Sequence, residues 1–177
     1  MGGKDHNHYH ETLGEALQGM ELVDSGYDIN FRRASILHLP ESSNRPDLLE
    51  NIRNRTLCTT DALEPKQLEL FRYAIFNNYQ FQMFVDDLPV WGYVGKVDSK
   101  GRDALLYTHN HFNISFNGKQ IVEVNLVTTD PVVLPLNDNS AKKIKFSYSV
   151  EWTPTEAKFE DRFERYLDSE FFEHKVG

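Results

Sequence analysis

The stretch FVDDLPVWGYVG, residues 84–95, contains the residues whose types most suggest chemistry. Asp86 and Asp87 are adjacent carboxylates, and carboxylates placed beside a reacting group act as general acids and bases. In an ideal strand, however, neighbouring side chains point to opposite faces, so these two are not expected to share one pocket. Pro89 also favours extended backbone at the residue before it. The stretch therefore favours a rigid corner of a β-rich domain, a structural motif formed by Asp86, Asp87, Leu88, Pro89, Trp91, Gly92 and Gly95.

The two roles differ in what is expected around the carboxylates. In a corner, an aspartate accepts hydrogen bonds from the amides of the turn itself. Gly92 and Gly95 then permit a bulge or a close backbone approach. A hydrolase is the alternative that the carboxylates leave open, and its candidates, each requiring a nearby histidine, are Asp86, Asp87, Glu151 and Glu160.

The histidines suggest a metal centre as a second kind of site. His6, His8 and His10 alternate in HNHYH and share one face of the segment if it is extended. His109 and His111 repeat this spacing at the end of an expected strand. No cysteine or carboxylate cluster accompanies either group along the chain, and a solvated terminal segment is the favoured interpretation of the first. The sequence therefore predicts no metal and no cofactor.

Other catalytic patterns are missing from the sequence. It contains no Gly-x-Ser-x-Gly nucleophile motif and no glycine-rich phosphate loop. The rings of Trp91, Tyr93 and Tyr107 suggest a carbohydrate- or lipid-binding module as an alternative, although packing in the core is the favoured interpretation of these rings. These observations predict a binding or structural protein and not an enzyme.

Composition restricts the class of protein. The 177 residues suit one domain, and the 40% hydrophobic and 12% aromatic content is too high for a disordered chain. The net charge of −8 argues against nucleic acid as a partner. No window approaches the roughly 18 apolar residues of a membrane span, and the N-terminal residues lack the apolar run of a signal peptide. We therefore expect this polypeptide by itself to be soluble.

The single cysteine and the two N-glycosylation sequons give information on the cellular compartment of the protein. Cys58 is the one cysteine, so it cannot form a disulfide within the chain. A lone cysteine is ordinary in a cytosolic protein, whereas in a secreted domain it suggests a missing partner. Asn54 in NRT and Asn113 in NIS are candidate N-glycosylation sites, which fits the secreted interpretation.

Hydrophobic periodicity predicts the elements that position these residues. HETLGEALQGM predicts a short helix, residues 27–31 a half-buried strand, and residues 34–60 a long loop with a helical turn at 47–52. ALEPKQLELFRYAIFNN predicts the clearest helix, with Pro65 in its first turn. Strands are expected in YQFQMFVD, VWGYVGKV, ALLYTHNH and KIKFSYSVEWT, and FNISFNGKQIVEVNLVT predicts a hairpin with an Asn117-Gly118 turn. The tail from residue 157 returns to helical spacing.

Together these elements predict a mainly β fold, an antiparallel β-sandwich of about seven or more strands with two or three short helices. Residues 1–177 are expected to form a single domain.

Several blocks also carry a resemblance to a known family. HYHETLGEALQG, FQMFVDDLPVWGYVG, LYTHNHFNISFNGKQIVEVNL, FSYSVEW and FEDRFERYLDSEFFEH resemble, in this order, the lumenal domain of the nonaspanins, the transmembrane 9 superfamily or EMP70 family. They run from about residue 8 to residue 174, and the first block is most similar to the third mammalian member. Residues 33–55 depart from the family pattern.

The resemblance implies a lumenal fragment of a larger protein. Upstream lumenal residues, with a disulfide partner for Cys58, and nine downstream transmembrane helices are implied but not part of this sequence. The family further implies residence in Golgi and endosomal membranes, a role in sorting membrane-protein cargo, and contact with the protein's own transmembrane portion. It implies no enzymatic activity. Seven histidines in a chain of charge −8 add the expectation of pH-dependent affinity for cargo or for the membrane portion.

Overall fold

The structure, a computed structural model, describes residues 26, 27, 29, 51–134 and 143–166. The chain divides into two units, residues 1–30 and 31–177, and the fold that follows is that of the second unit. Its elements are β1 (Ile52–Thr59), α1 (Pro65–Phe76), β2 (Gln80–Val85), β3 (Leu88–Tyr93), β4 (Gly95–Val97), β5 (Ala104–Asn117), β6 (Gln120–Leu134), β7 (Lys145–Pro154) and two 3₁₀ helices, Phe159–Asp161 and Glu164–Tyr166. The expectation of a single domain over the whole chain stays a prediction.

The described strands form two sheets. A five-stranded sheet has the order β1-β7-β5-β4, with β6 also paired to β5, while β2 and β3 form a separate two-stranded sheet. Since β6 follows one edge of β5 along its whole length, β4 and β7 share the other edge at opposite ends. All of these pairs are antiparallel except β5–β7, which is parallel. The prediction of a mainly β fold is confirmed, with a mixed main sheet.

One face of the main sheet is apolar because its three long strands alternate in phase. The register places Phe112 opposite both Leu126 and Val150. Complete burial of such a side chain contributes about 2 kcal/mol. The predicted face of KIKFSYSVEWT is confirmed, and the buried members of this apolar face include Phe112, Ile114, Val124, Ile144, Tyr148 and Val150.

Helix α1 covers one end of this face. Pro65 occupies its first turn, and the Glu64 backbone N–H donates to Gln67 Oε1 at 2.9 Å. Leu68 and Ile75, seven residues apart on one helix face, are fully buried in a cluster with strand residues Ala104, Leu106, Leu134 and Ile144. The predicted helix is confirmed.

Strand β1 contradicts the prediction of a loop through residue 60. Residues 52–59 pair antiparallel with β7 at the edge of the main sheet. Two register shifts interrupt this pairing, and most side chains of β1 are exposed on both faces. Because neither face is consistently buried, no alternation of apolar residues marks this strand in the sequence.

Strand boundaries and one turn also differ from the predictions. VWGYVGKV is divided between β3 and β4, which belong to different sheets, whereas ALLYTHNH and FNISFN form the single strand β5. The β5–β6 turn has Gly118 and Lys119 at its centre, since Asn117 pairs with Gln120. Only Gly118 has a positive φ, 61°, as in a type II′ turn, so the predicted Asn-Gly type I′ turn is wrong by one position.

Predictions for the chain ends are tested only in part. The described part of the tail forms two 3₁₀ turns where helical spacing predicted a helix. The helix predicted in HETLGEALQGM lies outside the described residues, as do most of the strand predicted at 27–31 and most of the turn predicted at 47–52.

The chain passes from one sheet to the other at Val94. Its backbone N–H donates to Tyr79 O in the hairpin region, and its carbonyl accepts from the Tyr107 N–H in the main sheet, both at 3.1 Å. At Gly95, a Cβ atom would lie 2.1 Å from Leu105 O and 2.9 Å from the Ile75 side chain. Gly95 therefore permits a backbone approach that no other residue tolerates.

We expect Gly95→Ala to lower the free energy of unfolding by about 3 kcal/mol, because the clash is with backbone and not with a flexible side chain. Gly101→Ala is the matched control. Gly101, unlike Gly95, has a positive φ, 68°, but there is open space around its Cα, so we expect a loss of about 1 kcal/mol from backbone strain alone. Urea unfolding followed by tryptophan fluorescence measures both, and equal losses would contradict the close-approach explanation.

Candidate functional site

Asp86 and Asp87 form the tip of the β2–β3 hairpin. Val85 pairs with Leu88, so the two aspartates are the whole two-residue loop. Their φ angles are 50° and 64°, the positive values of a type I′ turn, which aspartate tolerates better than most residues. Asp86 and Asp87 are therefore a hairpin turn, and strand β3 follows them directly.

Both carboxylates lie near one guanidinium group. Arg162, between the two 3₁₀ helices, donates from Nη1 to Asp86 Oδ2 at 2.9 Å, and its Nη2 lies 3.9 Å from Asp87 Oδ2. The inference that strand alternation separates the two carboxylates is wrong, because they belong to the turn and not to a strand. The arginine also stacks between Phe159 and Phe163, at 4.1 and 4.8 Å from the ring centroids.

This arrangement does not provide acid–base chemistry. A guanidinium group stays protonated at all physiological pH values, so Arg162 has no proton to exchange with the carboxylates. The other carboxylates proposed for a hydrolase lie elsewhere, Glu151 on β7 and Glu160 on the first 3₁₀ helix. The hairpin tip is accordingly a contact between β2–β3 and the C-terminal segment.

A second contact fixes the same segment to β3 and β6. Tyr166 packs against Trp91 with ring centroids 6.2 Å apart, and burial raises the pKa of the Tyr166 hydroxyl. Arg165 donates to Asn125 Oδ1 at 2.9 Å and pairs with Glu123 on β6. The Trp91 ring, which the sequence suggested as a ligand or cargo contact, therefore packs against Tyr166 of the same chain.

We expect the hairpin tip to depend on backbone conformation more than on charge. Asp86→Asn with Asp87→Asn keeps residues that tolerate positive φ and leaves an amide oxygen as acceptor for Arg162, whose side chain is only 9% exposed, so the loss should be about 1 kcal/mol. Asp87→Val, which places a β-branched residue at φ 64°, should cost about 2 kcal/mol. Thermal unfolding of the variants measures both effects, and a larger loss from the asparagine pair than from Asp87→Val would show that charge dominates.

The face of the main sheet opposite the apolar core carries a continuous polar chain across β5 and β7. The parallel register places His109 opposite Ser147 and His111 opposite Ser149. His109 Nδ1 lies 2.8 Å from Ser147 Oγ, and its Nε2 lies 2.9 Å from Ser149 Oγ. The same Ser149 Oγ lies 2.5 Å from His111 Nδ1, and His111 Nε2 lies 3.7 Å from Glu151 Oε2. We call these five residues the imidazole chain.

The imidazole chain contains the residue types of a hydrolytic triad but not its surroundings. Ser149, His111 and Glu151 correspond in type to nucleophile, base and carboxylate. However, Ser149 is only 6% exposed, and its hydroxyl is shared between two rings. The backbone around it belongs to the β5–β7 ladder, whereas an oxyanion hole needs amides directed at the substrate. The arrangement suits proton exchange between side chains and not attack on a substrate.

Sequence patterns alone do not predict this chain. They suggest His109 and His111 as a metal pair and Glu151 as a hydrolase candidate beside a histidine, but they do not connect these residues with Ser147 and Ser149. The sequence signs of the imidazole chain are HNH in β5 and SYSVE in β7, in which polar residues occupy alternate positions. These polar residues become neighbours only if the two strands are parallel and in this register. In the described part of the chain, no group of three or more metal-ligating side chains is close enough to hold a metal ion.

The most exposed aromatic surface lies around α1. Leu70 and Tyr73 are 62% and 58% exposed, and Phe76 follows three residues later. Tyr73 and Tyr79 pack edge to face at 5.9 Å, and the hydrogen bond from Tyr73 raises the pKa of the Tyr79 hydroxyl. Tyr93 and Tyr107, proposed with Trp91 as contact residues, are half-buried in strands, so their role in ligand or cargo contact stays a prediction.

The remaining candidate residues lie on β1 and β5. Cys58 is an exposed free thiol on the edge strand, and its pairing with a segment outside this sequence stays a prediction. Asn54 is exposed at a register shift of β1, between Ile52 and Arg55. Asn113 is half-buried in the central strand β5.

Comparison with known proteins finds relatives of which several are named as members of the Transmembrane 9 superfamily. The chain is 31% identical over 172 residues to Transmembrane 9 superfamily member 3 of Arabidopsis thaliana, and 33% identical over 163 residues to Putative phagocytic receptor 1b of Dictyostelium discoideum. It is 31% identical over 169 residues to Transmembrane 9 superfamily member 1 of Rattus norvegicus. These alignments cover 90–94% of this chain but only 24–26% of each relative. No solved structure matches.

The model of the family described as Endomembrane protein 70 matches residues 2–176, and the chain belongs to this family. The predicted family is thereby confirmed, whereas the particular likeness to a third mammalian member stays a prediction. Within the residues that the structure describes, no helix has the length and apolar character needed to cross a membrane.

Proposed function

We propose that this chain is a non-enzymatic, lumenal domain of a Golgi and endosomal membrane protein, and that it contributes to sorting membrane-protein cargo. The observation that carries the proposal is the family match over nearly the whole chain, with relatives of which the chain spans about a quarter. The domain would thus act beside a much longer portion of the same protein.

The described surface supports a binding role. The α1 surface, formed by Leu70, Tyr73, Phe76 and Tyr79, presents apolar and aromatic groups to solvent. Aromatic residues of this kind, exposed in a cluster, are typical of protein contacts, since tyrosine offers a large apolar area together with a hydroxyl group. The membrane-protein cargo and the protein's own transmembrane portion are the partners proposed for this domain.

The proposal is tested by capturing partners of the full-length protein in cells. We compare the intact protein, a form that lacks residues 1–177, and a form with Leu70→Ser and Tyr73→Ser. We expect both altered forms to lose a shared subset of captured membrane proteins, because the exposed α1 surface is removed in each. Glu69→Gln, an exposed change on the same helix, is the matched control. Identical cargo sets for the intact and deleted forms would overturn the proposal.

Lumenal residence predicts N-glycosylation at Asn54 and not at Asn113. Asn54 is exposed on an edge strand and next to a register shift, which leaves room for a bulky glycan. Asn113 lies between Asn125 and Glu151 in the register of the central strand. In secreting cells, we expect Asn54→Gln and Thr56→Ala each to abolish the mobility shift that endoglycosidase removes.

Asn113→Gln is the matched control, since it removes the second sequon and should leave the shift intact. A shift that depends on Asn113 alone would contradict the structural argument. A wild-type chain without any shift would contradict lumenal residence.

A further inference from the structure

We propose that the imidazole chain is a proton-binding site that takes up one proton, and only one, per His109–His111 pair. The proposal goes beyond the proposed function and rests on it in one respect, namely that the domain meets mildly acidic pH in the compartments where it acts. Imidazole is the side chain that titrates between about pH 5 and 8.

The neutral state of the chain satisfies every hydrogen bond between its members. A neutral imidazole has one N–H donor and one acceptor nitrogen, and a serine hydroxyl has one proton to donate. With Nε2–H on both rings, Ser147 donates to His109 Nδ1, His109 donates to Ser149, and Ser149 donates to His111 Nδ1. The remaining Nε2–H of His111 is then directed at Glu151 Oε2, which lies 3.7 Å away.

The first proton can be accepted without loss of any of these bonds. When His111 Nδ1 gains a proton, it donates to Ser149 Oγ in place of accepting from it. This proton comes from Ser149, which takes the Nε2 proton of His109 in exchange and then donates to that nitrogen. Ser147 passes its proton to His109 Nδ1, which then donates to Ser147, and the incoming proton replaces the one that Ser147 has lost. The result is an imidazolium at His111, beside the Glu151 carboxylate, and a neutral His109 in its other tautomer.

A second proton meets two obstacles. With both rings charged, His109 and His111 would each donate to the same Ser149 oxygen, so two positive rings would be held on one atom. His109 is also only 9% exposed, and both of its nitrogens face uncharged hydroxyl groups. Burial without a counter-charge disfavours the charged form of a histidine. Proton uptake at one ring therefore opposes uptake at the other.

The charged groups of the surrounding elements do not change the number of protons that the imidazole chain takes up. Glu123 is paired with Arg165, and Glu151 is the one carboxylate that contacts either ring among the described residues. The other titratable or charged residues on β5 and its neighbouring strands are Tyr107 on β5, Lys145 and Tyr148 on β7, Asp130 on β6, Lys96 on β4, and Arg53, Arg55 and Cys58 on β1. A single proton thus neutralises the local charge of Glu151 and reverses the hydrogen-bond direction as far as Ser147.

The number of protons taken up is tested by potentiometric titration of the 177-residue chain between pH 8 and pH 5. We expect the double variant His109→Gln with His111→Gln to take up about one proton fewer than the wild type, whereas two independent histidines would give a difference of about two. Glutamine keeps a donor and an acceptor for the serines, and circular dichroism checks that the variant is folded. A difference near two, or near zero, would overturn the proposal.

Ring ¹⁵N shifts of the wild type provide a test that needs no histidine variant. We expect His111 to become an imidazolium while His109 changes tautomer and stays neutral over the same pH range. Ser149→Ala removes the shared oxygen and should abolish the tautomer change at His109, whereas Ser149→Thr keeps the hydroxyl and should preserve it. Full protonation of both rings above pH 5, or a His109 signal independent of His111, would contradict the single-proton site.

Discussion

The parallel register of β5 against β7 is the constraint on which both faces of the main sheet depend. It places Phe112 beside Val150 in the apolar core, and on the opposite face it places His111 beside Ser149. Because side chains alternate along a strand, a slip of one residue would expose the apolar set and bury the polar one. The burial of aromatic and branched residues therefore also fixes the distances within the imidazole chain. The apolar core and the imidazole chain therefore both depend on the register of β5 against β7.

The second sheet is positioned by backbone geometry more than by side-chain charge. Val94 bonds to both sheets, and Gly95 allows the backbone to pass close to Leu105 O. At the far end of the hairpin, Arg162 reaches the turn from the C-terminal segment. The carboxylates at the tip are 48% and 88% exposed, so solvent screens their charge, whereas the Arg162 side chain is only 9% exposed. The hairpin is thus held at its base by a steric requirement and at its tip by an arginine stacked on aromatic rings.

Local sequence patterns predicted the elements in which one face is buried. KIKFSYSVEWT and the helix that begins at Pro65 were predicted correctly, because burial on one face imposes periods of two and 3.6 residues. The edge strand β1 was missed, since its pairing uses backbone groups and leaves no apolar period. The imidazole chain was missed for a different reason: its members lie 38 to 40 residues apart, and only the parallel pairing of β5 with β7 brings them together. No local pattern encodes which strands become neighbours.

The physical character of the imidazole chain agrees better with sensing than with catalysis. A nucleophile must reach a substrate, and its oxyanion must find free donors, whereas Ser149 is only 6% exposed and the strand around it pairs with β5. The same burial that prevents attack on a substrate makes the hydroxyl a rigid link between two rings. A rigid link allows the protonation of one ring to determine the state of the other, which independent surface histidines cannot do. The lumenal role proposed for this domain would use this property, because that role exposes the imidazole chain to mildly acidic pH.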